Sequence, residues 1–247
     1  MRVLALDTTG RAGSSALIVD GRIVDARSGD ATRTHAERLP GELTALVRAC
    51  GLTLPEIDVF AAAVGPGSFT GLRIGIATMQ GLSLVGERPL IGVSALEALA
   101  HAAAGGAAAG DLVAAWIDAQ RGEVFSALYR TTAAAPGAPE RVLKVEGPSV
   151  ASPAKTLEGW STHDLASATF IGDGATRYAE VVDRITQRRI GAPSALAGIV
   201  GQLASARAAR GEAAHPAAIG PLYVRRPDAV LDRERRVLTG KGTDTKG

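Results

Sequence analysis

The chain of 247 residues holds a single cysteine, Cys50, so no intrachain disulfide can form. A lone thiol outside any disulfide framework fits a reducing compartment, and a cytoplasmic location is expected. An excess of one charge is missing as well: 27 Lys and Arg stand against 25 Asp and Glu, a net charge of +2. That is not the cationic surplus of a protein that grips phosphates unaided. No apolar run reaches the roughly 20 residues needed to cross a bilayer, so no membrane association is expected. The apolar opening at residues 3–6 is broken by Asp7, too soon for a signal-peptide core. Histidine is scarce. His35, His101, His163 and His215 are scattered, with no two at a spacing that suits a metal. No Gly-Lys-Ser/Thr follows a glycine-rich turn, which excludes a P-loop.

What is present is an ordinary folding composition, 46% apolar and 21% charged. The length suits one large domain or two small lobes. Residues 3–6 read as a strand closed by the turn cluster Asp7-Thr8-Thr9-Gly10. Residues 15–19 and 22–26 continue a β-meander through Asp20-Gly21. Leu39, Leu43, Leu46 and Val47 recur at helical spacing until Gly51 stops the pattern, with Pro40 near the start. A buried strand at 57–64 is closed by Gly65-Pro66-Gly67. An apolar helix is expected from about Thr70 to Val85, a strand at 89–93, and a helix at 95–104.

Residues 105–110 contain only Gly and Ala, and read as a hinge between an N-terminal lobe at 1–104 and a second lobe at 111–227. The second lobe repeats the opening. A strand at 112–117 ends at Asp118, Arg121-Gly122 makes a turn, and a strand follows at 124–129. Ser15-Ala16-Leu17 lies eight residues after Asp7, and Ser126-Ala127-Leu128 eight after Asp118, which suggests duplicated lobes. The rest is thinner: a loop at 131–140, a strand at 169–174 running into Gly172-Asp173-Gly174, and helices at 178–185 and 195–209. Residues 228–247 are charged, then rich in Gly, Thr and Lys, and are expected to form a disordered tail.

Duplicated lobes that each open with strand–Asp–turn–strand suggest an α/β fold of the actin-like ATPase type, its second lobe reduced. In that fold turns between the lobes wrap phosphates and carboxylates hold a metal, so Asp7, Thr8, Thr9, Asp118 and Arg121 are candidate nucleotide or phosphate-loop positions. The alternative is that Asp7 and Asp118 only end strands and cap turns. Asp118, Arg121 and Glu123 form a polar turn with no nucleophile beside them. His35, near Glu37 at a helix start, is read as a surface or capping residue ahead of a general base. In the stretch from Gly65 to Gly75, free N–H groups could seat an anion. Gly71 and Gly75 share a helix face, however, and close approach of another helix is the preferred reading.

The order of motifs resembles the TsaB family. They are Leu4-Ala-Leu-Asp7-Thr-Thr, His35-Ala-Glu37-Arg-Leu39-Pro40, Gly65-Pro-Gly-Ser-Phe-Thr-Gly-Leu-Arg-Ile-Gly75, Ile91-Gly-Val-Ser94-Ala-Leu-Glu97, Ile117-Asp118-Ala-Gln-Arg121-Gly-Glu123-Val124 and Pro221-Leu-Tyr223-Val-Arg225. The match is strong in the first half and around Asp118, and weaker at 131–220. The resemblance implies a non-catalytic subunit that binds and activates the related transferase TsaD, with the ATPase TsaE in the complex and a homodimer when alone. The reaction is transfer of threonylcarbamoyl from threonylcarbamoyl-adenylate to the adenosine beside the anticodon, tRNA being reached only through the complex. TsaD carries two metal-binding histidines, four apart, where this sequence aligns Ala95 and Leu99. No catalytic residue, no metal and no cofactor is therefore expected on the isolated chain, ATP or ADP entering in the complex.

The helices at 39–51 and 70–85 carry more apolar side chains than one face needs. A partner interface is expected at Leu39, Leu43, Leu46, Leu72, Gly71, Gly75, Ile76 and Met79, with the two glycines at the seam. The rival readings are a self-sufficient metal-dependent peptidase or small-molecule kinase on the same fold, and a plain nucleotide-binding module.

Overall fold

Strand β1 (Arg2–Asp7) is apolar on both faces because both faces are covered. Its Val3 and Ala5 belong to one buried cluster, and its Leu4 and Leu6 to another. This continuous apolar pattern is what a central strand between two helical layers requires. In the computed structural model, which describes residues 1–225, β1 pairs antiparallel with β2 (Ser14–Val19), and β2 with the edge strand β3 (Arg22–Ser28). On its other side β1 pairs in parallel with β4 (Val59–Gly65), and β4 with β5 (Leu90–Ser94), giving the order β3-β2-β1-β4-β5.

The second sheet repeats this plan. β6 (Leu112–Asp118) pairs antiparallel with β7 (Val124–Thr131), and β7 with β8 (Val142–Ala151). β9 (Thr169–Ile171) and β10 (Arg189–Ile190) extend the other side in parallel, so the order is β10-β9-β6-β7-β8. Two sheets with one topology, facing each other across shared helices, make the two-lobed actin-like α/β architecture that the strand–turn–strand repeat suggested. The aspartates themselves are not equivalent. Ser15 pairs with Leu6, one residue before Asp7, whereas Ser126 pairs with Trp116, two before Asp118. Equal sequence spacing thus hides a one-residue difference in register, which puts successive side chains on opposite faces.

Helices α1 (His35–Ala49) and α2 (Phe69–Val85) cover the outer face of the first sheet. α1 starts four residues earlier than its apolar spacing suggests, because Thr34 and Glu37 form a capping box. Pro40 consequently lies in the second turn, on the solvent side. α1 ends where Gly51 turns left-handed (φ +74°) and Leu52 N–H reaches back to the Val47 carbonyl. Ser68 caps α2 by accepting from Gly71 N–H at 3.2 Å. α3 (Ala95–Ala104) and α7 (Ala197–Ala208) lie between the sheets, in one core with Ala5, Ile18, Val93, Ala115 and Tyr129. α7 is assigned to the second lobe by chain position, yet it packs on the first sheet. Gln202 donates to Gly21 O, and Ala197 N–H to Ser14 Oγ. The Gly/Ala segment at 105–110 is held in place: Arg141 donates to the Ala104 and Ala107 carbonyls, and Gly110 N–H to Thr131 O.

Three further differences have local causes. β8 falls where sequence alone suggests little structure, because it is a polar edge strand with Gly147-Pro148 inside it. α4 (Pro153–Gly159), capped by Ser152, is likewise short, with Leu157 its one large aliphatic side chain. Of the helix expected at 178–185 only the single turn α6 (Ala179–Val182) forms, and non-helical backbone at Tyr178 (φ −106°, ψ 36°) separates it from α5 (Asp173–Arg177), which begins where the strand expected at 169–174 stops after Ile171. The tail expectation at 228–247 lies outside the described residues.

Two glycines of α7 separate packing from propensity. A Cβ at Gly201 would lie 2.0 Å from Ile18 Cδ1 and 2.9 Å from Ala5 Cβ, whereas one at Gly198 would have the exposed Ile23 side chain as its nearest neighbour, with Cδ1 at 2.8 Å. Gly201→Leu is expected to lower the unfolding free energy by about 1–3 kcal/mol through overpacking. Gly198→Ala is expected to be neutral or stabilising by up to about 1 kcal/mol through helix propensity. Urea unfolding of both variants checks this, and equal effects at the two sites would contradict it.

Candidate functional site

The C-terminal ends of β1, β4 and β6, with the turn after β9, open onto a cleft of about 1070 Å³ between the lobes. This is the side on which open α/β sheets present their loops to ligands. Of the candidate loop residues, Thr9, Asp118 and Arg121 line the cleft, while Asp7 and Thr8 lie beneath it, 6% and 1% exposed.

Thr8 explains the glycines of α2. A Cβ at Gly71 would lie 2.3 Å from the Thr8 carbonyl oxygen, and one at Gly75 would lie 2.2 Å from Thr8 Oγ1. Gly71 and Gly75 thus allow close approach to the lobe's own first loop, and the seam assigned to them is corrected. The other expected interface residues are corrected with them. Leu39, Leu43, Leu46, Leu72 and Met79 are at most 1% exposed and Ile76 is 4% exposed, all inside the chain. The reason is that α1 and α2 point their large apolar side chains at the sheet and at each other.

Asp7 is occupied internally. Its Oδ1 accepts from Thr9 N–H at 2.9 Å and Thr9 Oγ1 at 2.6 Å. Burial raises its pKa above the usual carboxylate value, against the opposing effect of the Thr9 hydrogen bonds and of His35. His35 is buried, not the surface cap its position suggests. Its Nδ1 faces Arg38 Nη2 at 2.8 Å, and its Nε2 faces Gly10 O at 3.1 Å. An arginine only donates, so Nδ1 accepts and Nε2–H donates to the carbonyl. Burial, and then the Arg38 charge, push the imidazole pKa down and favour this neutral form. Arg38 also donates to Ala12 O and pairs with Glu42 at 2.5 Å. The motif from His35 to Leu39 therefore caps α1, ties it to the loop after β1, and fills the core.

Across the cleft, Asp118 accepts from Gln120 N–H at 3.1 Å and Gln120 Nε2 at 2.7 Å, and lies 3.6 Å from Arg177. Its own N–H donates to Asp173 Oδ1 at 3.0 Å. Asp173 is a cleft residue that the sequence reading passed over. Its signal is Gly172-Asp173-Gly174, where a Cβ at Gly172 would lie 2.1 Å from Trp116 O. Gln120, Arg121 and Gly122 all take left-handed φ, +60°, +57° and +77°. Each non-glycine residue there costs roughly 1–2 kcal/mol, a strain typical of shaped sites.

The metal that actin-like clefts hold does not fit these residues. Asp7 is buried with its oxygen engaged by Thr9, Asp118 is engaged by Gln120 and Arg177, and no metal-holding group of three or more His, Cys, Asp or Glu occurs among the described residues. Ala95 and Leu99 are 0% and 2% exposed in the interlobe core.

The titration of Asp7 has a checkable sign. Its unfolded carboxyl titrates near 3.8 and its native pKa is higher, so the native state binds the extra proton between those values. Stability from this group is full below 3.8 and is lost as pH rises through the native value. Asp7→Asn keeps an acceptor for Thr9 without the buried charge. It should exceed the wild type by on the order of 1 kcal/mol at neutral pH, with the advantage vanishing in acid. Urea melts across pH check this, and an Asn variant less stable at neutral pH would contradict it.

Comparison with known proteins places this geometry. Residues 29–229 match the family model of TsaD, tRNA N6-adenosine threonylcarbamoyltransferase. The Escherichia coli protein TsaB, of tRNA threonylcarbamoyladenosine biosynthesis, is 43% identical over 130 residues, 53% of this chain and 55% of that one. The chain thus spans about half the length of this curated relative. An uncharacterized protein of Mycobacterium bovis is 32% identical over 231 residues, 92% of this chain and 93% of that one. YeaZ from Pseudomonas aeruginosa superposes with a TM-score of 0.71 at 31% identity, over 90% of this chain and 99% of that one. On the family model, the near-full-length relative and the structural neighbour together, this chain belongs to the TsaB (YeaZ) family, on the fold of TsaD.

Proposed function

We propose that the chain is the non-catalytic subunit of the tRNA threonylcarbamoyladenosine synthase, which docks on TsaD and holds it in its active form. What supports this reading is the pair Ala95 and Leu99, core side chains without a donor atom, at the positions where the family resemblance implies the metal-binding histidines of TsaD. Threonylcarbamoyl transfer then belongs to TsaD, with TsaE as the ATPase of the complex. The isolated chain carries no stoichiometric zinc or iron and turns over no ATP. The peptidase and kinase readings would each need a metal or an acid–base pair, and neither Asp7 nor Asp118 is free for that work. A plain nucleotide-binding module has one supporting feature, the N-terminus of α2 facing Arg11 and Arg121 in the cleft. Calorimetry with ATP and magnesium separates that reading from the scaffold, which gives no heat.

The docking surface is the outer side of α1 and α2, built from small and exposed residues. On α2 it comprises Arg73, Ala77, Gly81, Leu84 and Val85, the last two 51% and 90% exposed. On α1 it comprises Gly41 and Ala45. A Cβ at Gly81 or Gly41 meets no atom within 4 Å, and α2 has one charged side chain, Arg73, in seventeen residues. A partner's helices can approach such a face closely with little charge to desolvate. The same face serves TsaD in the complex and a second copy when the chain is alone.

Gly81→Arg places a long cation in that open space. It is expected to leave the fold intact, and to weaken both self-association and TsaD binding at least about tenfold. Sedimentation velocity measures assembly, and threonylcarbamoyladenosine content of tRNA in cells lacking TsaB measures function. A folded Gly81→Arg protein that assembles and complements like the wild type would overturn the docking face.

A further inference from the structure

The motif Pro221-Leu-Tyr223-Val-Arg225 lies outside both sheets and is not used by the reading above. It crosses from one lobe to the other along the cleft, which it helps to line. Its first anchor is Leu222 N–H, which donates to Val64 O at the end of β4 at 2.7 Å. Its second is Tyr223, whose ring stacks on Phe69 with centroids 5.2 Å apart and planes at 29°. The Tyr223 hydroxyl accepts from Arg73 Nε at 2.9 Å, and the Arg73 guanidinium lies 4.0 Å from the Phe69 centroid. Its third is on the other lobe. Arg225 donates to Ala119 O at 2.9 Å, pairs with Glu123, and lies 5.5 Å over Phe125. These last partners flank the left-handed residues Gln120 and Arg121.

We propose that residues 220–225 are an interlobe clasp that transmits docking on α2 to the cleft. The proposal rests on the docking face described above. Its anchors are surface-grade: Phe69 is 40% and Tyr223 39% exposed, and Arg73 is exposed. Segments held by such contacts open locally at far lower free energy than the core. Arg73 belongs to both devices. It grips Tyr223, and it stands one turn before Ala77 on the face that carries Gly81 and Leu84. A partner covering that face removes water from Arg73. Cation–π contacts and hydrogen bonds strengthen when desolvated, so docking tightens the hold on Tyr223. The tightened strap pulls through Arg225 on the turn from Ala119 to Glu123, and the cleft becomes more rigid when the partner is bound. No ligand in the cleft is needed.

Hydrogen exchange with mass spectrometry on the full chain, below and above the concentration of self-association, tests this. In the wild type, association should slow exchange in residues 74–85, and by about threefold or more in residues 119–123 and 220–225 as well. Tyr223→Phe keeps the ring stack and loses the acceptor for Arg73. It should still gain protection at 74–85 but none at 119–123. Protection at 74–85 in the wild type without any at 119–123 would overturn the clasp and leave the docking face standing. Equal protection of 119–123 in Tyr223→Phe and wild type would also overturn it. No gain at 74–85 would remove the docking face, and the clasp with it.

Discussion

The contact between Thr8 and the two glycines of α2 fixes where that helix can lie. With a side chain at either position, α2 would stand off from the loop after β1, since the added carbon would meet Thr8 at 2.2–2.3 Å. With neither, its N-terminus drops against that loop, and Ser68 N–H reaches Thr9 O at 2.8 Å. The same loop is tied from the other side by His35 and Arg38 of α1, through Gly10 O and Ala12 O. One loop, rooted in the buried Thr8, thus sets the positions of both outer helices. What those helices then turn to solvent is decided by geometry, and it includes Gly41, Ala45, Arg73, Ala77 and Gly81 with Leu84 and Val85.

The cleft shows the cost side of the same arrangement. Asp7 keeps a carboxylate under the loop, where burial disfavours its charge and the Thr9 hydrogen bonds only partly compensate. Gln120 and Arg121 hold left-handed backbone across from it. Strain and buried charge of this kind usually mark a working site. Here the carboxylates are consumed by neighbours on their own lobe, and Arg225 supports the strained turn from outside. The arrangement suits a cleft whose shape is kept while its chemistry is supplied by another subunit.

Much of the fold is legible in the sequence, because continuous apolar strands and glycine turns leave a strong pattern. The repeat of strand–Asp–turn–strand correctly points to two lobes with one topology, although the two aspartates differ in register by one residue. The polar edge strand β8 and the broken helix at Tyr178 leave little periodic signal. α7 is visible as a helix, but which sheet it covers depends on tertiary contacts of Gly198 and Gly201 that no local pattern encodes. The apolar residues of α1 and α2 also mislead for a physical reason. Large side chains look like interface material, yet most of them fill the core, and the exposed face of α2 sets small residues beside Arg73, Leu84 and Val85. Asp173 needed the fold to reach Asp118, which is 55 residues away in the chain.

On the proposed reading, a TsaB-family chain with this core and this surface has its role in what it binds. The most direct test of that claim is reconstituted modification of tRNA with threonylcarbamoyl-adenylate, scored by mass spectrometry of the adenosine next to the anticodon. The account predicts no product from this chain alone, little from TsaD alone, and efficient transfer when the two are combined. Product from the chain by itself, or full transfer by TsaD without it, would contradict the account.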